Sequence, residues 1–197
     1  MVIGVTGGIA AGKSTFCKIL NDIKPTSILL LTDKIAKEQQ MIGEVSYQGI
    51  VDCFGKSILN EDKTINSKAL GEIVFANKEK LEKLNQITHP NVINYVRDVI
   101  NENRDKLIII ESALLFDCEL KDLCDVTIFV TANEKHRVDR MKNIRNYSEE
   151  KIKNILDKQN LDIKKATIVI ENSGTYEDLK EKGLFVIDKV LEKNGIF

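Results

Sequence analysis

The chain has no CxxC pair and only two histidines, His89 and His136, so no zinc site is expected. Its four cysteines (Cys17, Cys53, Cys118 and Cys124) are dispersed, as reduced packing thiols of a cytosolic protein would be. Its apolar runs are far shorter than the ~20 residues of a membrane span, and no basic stretch leads into a long apolar one. No membrane partner and a cytoplasmic location are therefore expected. Charge of one sign is also missing: 29 Lys and Arg face 30 Asp and Glu, for a net charge of −1. Nothing attracts nucleic acid globally, and any anion site must be local. Repeats, low-complexity tracts and Pro/Gly-rich linkers are absent; Pro25 and Pro90 are the only prolines. What remains is the profile of one soluble domain: 197 residues, 43% hydrophobic and 30% charged.

Five short, nearly unbroken apolar runs read as strands: VIGVT (2–6), ILLLT (28–32), LIIIE (107–111), VTIFV (126–130) and TIVIE (167–171). Unbroken runs suit strands covered on both faces, as in a parallel sheet. Helical patterns lie between them. A helix starts at Ser14. The segment from Lys68 to Ile87 is broadly helical, with Leu70, Val74, Leu81, Leu84 and Ile87 on one face. A further helix is expected from Pro90 to Ile100, charged ones over Glu134–Arg145 and Glu149–Gln159, and a closing one over Tyr176–Lys193. Strands alternating with helices make an α/β fold: a five-stranded parallel sheet flanked by helices. A strandless region at about 34–105 and a charge-dense one at about 133–165 read as insertions into a single domain spanning 1–197.

Directly after the first strand comes GGIAAGKST. Gly7-x-x-x-x-Gly12-Lys13-Ser14 fits the phosphate-binding loop, with a strand before it and a helix after it. The chemistry needs these residues. Backbone N–H groups from Gly8, Ile9, Ala10, Ala11 and Gly12 must turn inward around phosphate oxygens, and glycine permits that turn. The helix start at Lys13, Ser14 and Thr15 adds unpaired N–H groups and a positive dipole end. Lys13 can reach the β- and γ-phosphates, and the Ser14 hydroxyl can serve Mg²⁺. ATP and Mg²⁺ are the cofactors expected.

Asp33 closes the second apolar run and Glu111 the third, so both stand at strand carboxyl ends, where α/β sheets bind ligands. One acid could take a proton from an attacking hydroxyl and one could orient Mg²⁺. Either could instead cap the following helix. Glu111 ends a strand that resembles a Walker B strand with Glu for Asp. On the helix from Glu134, Arg137 and Arg140 share a face. They suit a lid that neutralises a transferring phosphoryl group, with Arg140 the leading candidate. His89, alone before a proline, reads as structural from pattern.

Together these segments resemble the dephospho-CoA kinase family, a group of P-loop kinases. The matching stretches are GVTGGIAAGKST, LLTDKIAKE (30–38), FGKSIL (54–59), LGEIVFAN (70–77), LEKLNQITHPNV (81–92), IIIESALLF (108–116), the arginine-bearing segment up to Gln159, and VIENSG (169–174). They follow the family's order over nearly the whole chain. The resemblance implies transfer of the ATP γ-phosphate to the ribose 3′-hydroxyl of dephospho-CoA. It implies Asp33 as base, a helical substrate-binding region and a lid. It implies that the loops around His89-Pro90 and Leu114-Leu115-Phe116 border the acceptor, and that Asn172 lies near the adenine. The partner implied is the small molecule dephospho-CoA, with a monomeric or weakly homo-oligomeric chain.

Four positions depart from the family pattern. Leu31-Thr32-Asp33 replaces Asp-Ala-Asp. Ala113 stands where proline precedes Leu-Leu, and Ser67 where an arginine is common. Arg140 and Arg145 are five apart rather than four, which leaves the lid role open among Arg137, Arg140 and Arg145. A nucleoside monophosphate kinase would share the loop and lid. A GTPase switch would need Asn-Lys-x-Asp, and Asn77-Lys78-Glu79-Lys80 lacks the Asp.

Overall fold

The computed structural model describes residues 1–158 and 162–192. In chain order the strands are β1 (Val2–Gly7), β2 (Ile28–Leu31), β3 (Ile108–Glu111), β4 (Val126–Thr131) and β5 (Ile168–Glu171). The helices are α1 (Lys13–Ile23), α2 (Thr32–Glu38), α3 (Tyr47–Phe54), α4 (Ser67–Phe75), α5 (Lys78–Glu102), α6 (Glu134–Asn143), α7 (Glu149–Lys158) and α8 (Tyr176–Glu192). The expected ends Gln159 and Lys193 lie outside the described residues. Among the described residues, no helix is long and apolar enough to cross a membrane. The chain divides into two compact units: one holds residues 1–30 and the chain from Asn103 onward, the other is Leu31–Glu102.

All five expected strands form, in one sheet ordered β2-β3-β1-β4-β5. β1 runs parallel to β3 (Val2 beside Ile108) and to β4 (Ile3 beside Val126), and β4 runs parallel to β5 (Ile128 beside Ile168). The runs of β1, β3 and β4 are unbroken because these strands are covered on both faces, whereas on the edge strand β5 Val169 is exposed. Ile3, Val5, Ile109, Ile128 and Val130 are fully buried, packed with Phe16 and Leu20 of α1 and Val186 of α8. Each such side chain contributes ~1.5–3 kcal/mol by leaving water. α8 crosses α1 at Gly183, where an added Cβ would come within 2.8 Å of Ile19. Strand order reverses at β1, whose neighbours β3 and β4 follow it much later in the chain. Such a reversal opens a crevice at the strand's carboxyl end, and that is where the glycine-rich loop begins.

The second unit is helical. Ile50, Ile58, Leu70 and Val74 form its buried centre, with Leu81, Leu84 and Ile87 packed against it. Two expectations need correction here. The helix expected over Lys68–Ile87 is two helices, α4 and α5, because Asn77 starts a new one: its side-chain oxygen accepts from Lys80 N–H (3.1 Å). The helix expected to begin at Pro90 is instead the second half of α5, which runs through the proline. Pro90 is exposed, as is Gln86 one turn before it, so water can reach the carbonyl the proline leaves without a donor.

The second strand also ends one residue early. Thr32 begins α2 rather than ending β2, which puts Asp33 in that helix's first turn. The charged helix expected to reach Arg145 stops at Asn143; Asn146, at φ 53, turns the chain before α7.

Asn66 caps α4 by accepting from Lys68 N–H (3.1 Å) and Ala69 N–H (3.0 Å). Asn66→Ala is expected to cost about 1 kcal/mol, a drop of roughly 2–4 °C in Tm by thermal melting. An unchanged Tm would show that the cap contributes nothing.

Candidate active site

β1 ends at Gly7, and the chain turns sharply into α1. Gly7 has φ 145 and Gly12 has φ 96. An added Cβ would strike the Val130 carbonyl at the first and the Asn172 amide at the second. Between them Ala10 holds φ 60, a left-handed angle that costs about 1–2 kcal/mol for a residue with a Cβ. The loop closes on itself through Ala11 N–H to Gly8 O (3.2 Å). The first backbone bond of α1 is Phe16 N–H to Gly12 O (3.0 Å), so the amides of Lys13, Ser14 and Thr15 come ahead of the helix ladder. No acidic residue sits in that first turn. Donors and dipole are thus arranged for an anion.

Lys13 begins α1, and its ammonium donates to the carbonyls of Gly7 (3.0 Å) and Gly8 (3.1 Å), which keeps the charge at the mouth of the loop. Ser14 donates its hydroxyl proton to Glu111 Oε1 (2.8 Å). The two candidate metal ligands are therefore neighbours. Among the described residues no group of three His, Cys, Asp or Glu could cage a metal. One hydroxyl and one carboxylate instead suit Mg²⁺, which keeps waters and shares phosphate oxygens. Behind them, burial pushes the Cys17 thiol well up, and Glu111 adds to the shift. Cys17 is a core residue.

The helix after β4 grips the outside of the loop. Asn133 caps α6, accepting from His136 N–H (3.0 Å). One turn on, the Arg137 guanidinium donates from Nε to the Ile9 carbonyl (3.0 Å). Arg140 donates to the carbonyls of Ala10 (3.2 Å), Ala11 (3.3 Å) and Asn172 (2.9 Å). Asn172 follows β5, is buried, and donates its side-chain amide to Ala11 O (2.8 Å). A loop that turns its N–H groups inward turns its carbonyls outward, and these three side chains meet those carbonyls.

The comparisons with known proteins point one way. A model of the dephospho-CoA kinase family matches residues 1–178. A dephospho-CoA kinase from Fusobacterium nucleatum is 41% identical over 186 residues, covering 92% of this chain and 94% of the relative. Another, from Carboxydothermus hydrogenoformans, is 37% identical, covering 95% and 93%.

The chain belongs to the dephospho-CoA kinase family.

Solved structures agree. A dephospho-CoA kinase from Campylobacter jejuni superposes with TM-score 0.71 at 30% identity, covering 98% of each chain. A shikimate kinase from Acinetobacter baumannii, at TM-score 0.55 and 15% identity, shares the P-loop kinase fold alone.

Within this family member the other candidate residues are placed as follows. Leu115 opens a short 3-10 turn and is fully buried beneath Gly4 of β1; Phe116 is half-buried and Leu114 exposed. Ala113 is exposed, and its carbonyl accepts from the Thr6 hydroxyl (3.4 Å). Arg145 lies past the end of α6 and is exposed, while Arg137 and Arg140 reach the loop. In the helical unit, Asp33 is exposed, and no side-chain bond caps α2, whose N-cap is Leu31. His89 is half-buried on α5, and burial lowers its pKa. Ser67 is exposed at the first position of α4. The loop grip of Arg137 escapes a reading by motif. The signal available was its spacing to Arg140 and to the apolar Met141, i, i+3 and i+4, which puts all three on one inward face.

Proposed function

We propose that this protein transfers the γ-phosphoryl group of ATP to the ribose 3′-hydroxyl of dephospho-CoA, giving coenzyme A and ADP. Membership of the family supports this, and the observation that carries it is the braced phosphate loop with Lys13 at its mouth. The amides from Gly8 to Thr15 hold the triphosphate. Ser14, with Glu111 beside it, would hold Mg²⁺, which would supply charge neutralisation to the phosphates. Lys13 and Arg140 offset the charge that spreads over the transferring group. Asp33 receives the 3′-hydroxyl proton as the new oxygen–phosphorus bond forms and the bond to ADP breaks. His89, Leu115 and Phe116 are the residues assigned to acceptor contacts by the family resemblance. Residues 133–165 act as the lid, and Asn172 lies at the adenine end. Most of the rate gain comes from positioning and electrostatics.

ADP release from Mg·ATP is measured with dephospho-CoA, AMP, CMP, UMP or GMP as acceptor, with product mass. Release is expected to depend on dephospho-CoA and to yield coenzyme A. Turnover only with a nucleoside monophosphate would overturn the acceptor assignment. ADP release indifferent to every acceptor would favour a hydrolysing switch.

A further inference from the structure

α2 and its C-cap bury one stripe, Thr32, Ile35 and Gln39, spaced as one face of a helix. An apolar side chain would suit the third place. Gln39 stands there instead, only 8% exposed. Its amide donates from Nε2 to the Asn91 carbonyl on α5 (3.2 Å). Its Oε1 is buried and meets no donor among the described residues. Turning the amide over is no remedy, since its oxygen would then face the Asn91 oxygen. A second compromise lies beside it. Ser46 is the N-cap of α3 and fully buried, yet its hydroxyl makes no cap bond. It accepts instead from the Asn91 side-chain amide (3.0 Å), and the Ser46 N–H donates to Gln39 O (3.0 Å). Three bonds thus close a ring: Gln39 to Asn91, Asn91 to Ser46, Ser46 back to Gln39. The ring ties the end of α2 to α5, two residues beyond His89.

On the reading of Asp33 as the base, we infer that Gln39 is its positioning residue. Gln39 acts through α2 and does not touch the acceptor. Asp33 stands in the first turn of that helix, which has 7 residues and no side-chain cap at its start. A helix so short moves as one piece, so whatever fixes its end fixes Asp33. Apolar contact is non-directional and would let α2 slide or turn on α5. Hydrogen bonds have direction, and the ring sets both the rotation of α2 and its register along α5. A leucine or methionine at 39 would bury as well and leave no acceptor alone. The glutamine therefore supplies placement rather than stability. A local rule broken inside a packed unit is the mark of a position set by function.

The test is Gln39→Met in the full chain, with dephospho-CoA as acceptor and a fluorescent methylanthraniloyl analogue of ATP as binding probe. Methionine keeps the length of the side chain and removes both polar atoms. Asn91 O still accepts within α5, which runs on past it, so no group is newly orphaned. kcat is expected to fall roughly tenfold or more, since a group misplaced by about 1 Å can cost about 10²-fold. The melting temperature should hold or rise. Affinity for the analogue should not change, because the phosphate loop belongs to the other unit. A merely structural residue would do the reverse, lowering the melting temperature and leaving kcat of the folded enzyme alone. In an Asp33→Asn background, Gln39→Met should cost little further rate, because the group it positions is already disabled. Wild-type kcat in Gln39→Met would overturn the inference, as would a loss that adds in full to that of Asp33→Asn. If Gln39→Met does not fold, Ser46→Ala opens the same ring at another point and decides: a lowered kcat supports the role, and a wild-type kcat rejects it. Near-normal turnover in Asp33→Asn itself would remove the base and this role together. Wild-type kcat in Gln39→Met beside an inactive Asp33→Asn would remove this role alone.

Discussion

Asp33→Asn is expected to lower kcat by about 10²- to 10⁴-fold while leaving binding of the ATP analogue essentially unchanged. Asparagine keeps the size and the hydrogen-bonding oxygen but cannot accept the hydroxyl proton. The substitution also separates catalysis from helix architecture. Asp33 sits in the first turn of α2, where the rival reading makes it a helix-stabilising acid. α2 has no side-chain cap to lose, and at this exposed first-turn position the acid's attraction to the helix dipole is worth only about 0.3–1 kcal/mol. A fall in rate with an unchanged melting curve is therefore a loss of chemistry. Single-turnover transfer to dephospho-CoA, followed by mass, is the measurement. Near-normal turnover would remove Asp33 from the role of base.

The parts of the molecule that were legible in the sequence are those set by local chemistry. All five strands appear as nearly unbroken β-branched or leucine-rich runs, and in β1, β3 and β4 burial on both faces forbids alternation. The phosphate loop is equally plain: Gly7 and Gly12 are required by φ values and close approaches that no other residue meets, so the motif is a direct print of the geometry. Helix boundaries were less legible. Pro90 ordinarily starts a helix, but here it faces solvent, where its lost hydrogen bond costs little; which face of α5 points outward is a tertiary fact. The role of Arg137 was hidden for the same reason. α6 is so polar that its pattern suits a solvated helix, and only docking against Ile9 buries the arginine. Asn172 was marked by resemblance as lying near the adenine. The fold adds that its amide braces Ala11 and its carbonyl receives Arg140. Residues proposed to bind ATP and residues that shape the loop are thus interleaved in one short stretch of chain and two distant supports.

That interleaving makes Gly7→Ala the most damaging single change expected for the fold. Gly7 is the last residue of β1 and pairs with Val130 in the parallel register of β1 and β4. A Cβ there would run into the Val130 carbonyl, with Val130 N only 3.0 Å away. Val130 is fully buried and is itself paired on its other side with Ile170 of β5, so the backbone it would have to displace is held from both flanks. The φ of 145 adds strain of its own. Collision with a fixed backbone belongs among the rare large effects, above about 4 kcal/mol, and in a chain of this length lowers Tm by roughly 10 °C or more. Gly12→Ala offers the contrast. Its Cβ would meet the Asn172 side-chain amide, which can swing aside, so the fold should survive while the Ala11 brace and nucleotide affinity are lost. Thermal melting with and without the ATP analogue distinguishes the two. Gly7→Ala should melt early under both conditions; Gly12→Ala, strained at φ 96 but meeting only a side chain, should melt between Gly7→Ala and wild type without the analogue and gain no stability from it. A wild-type melting temperature for Gly7→Ala would mean that β1 and β4 do not approach as closely at the loop as their register requires.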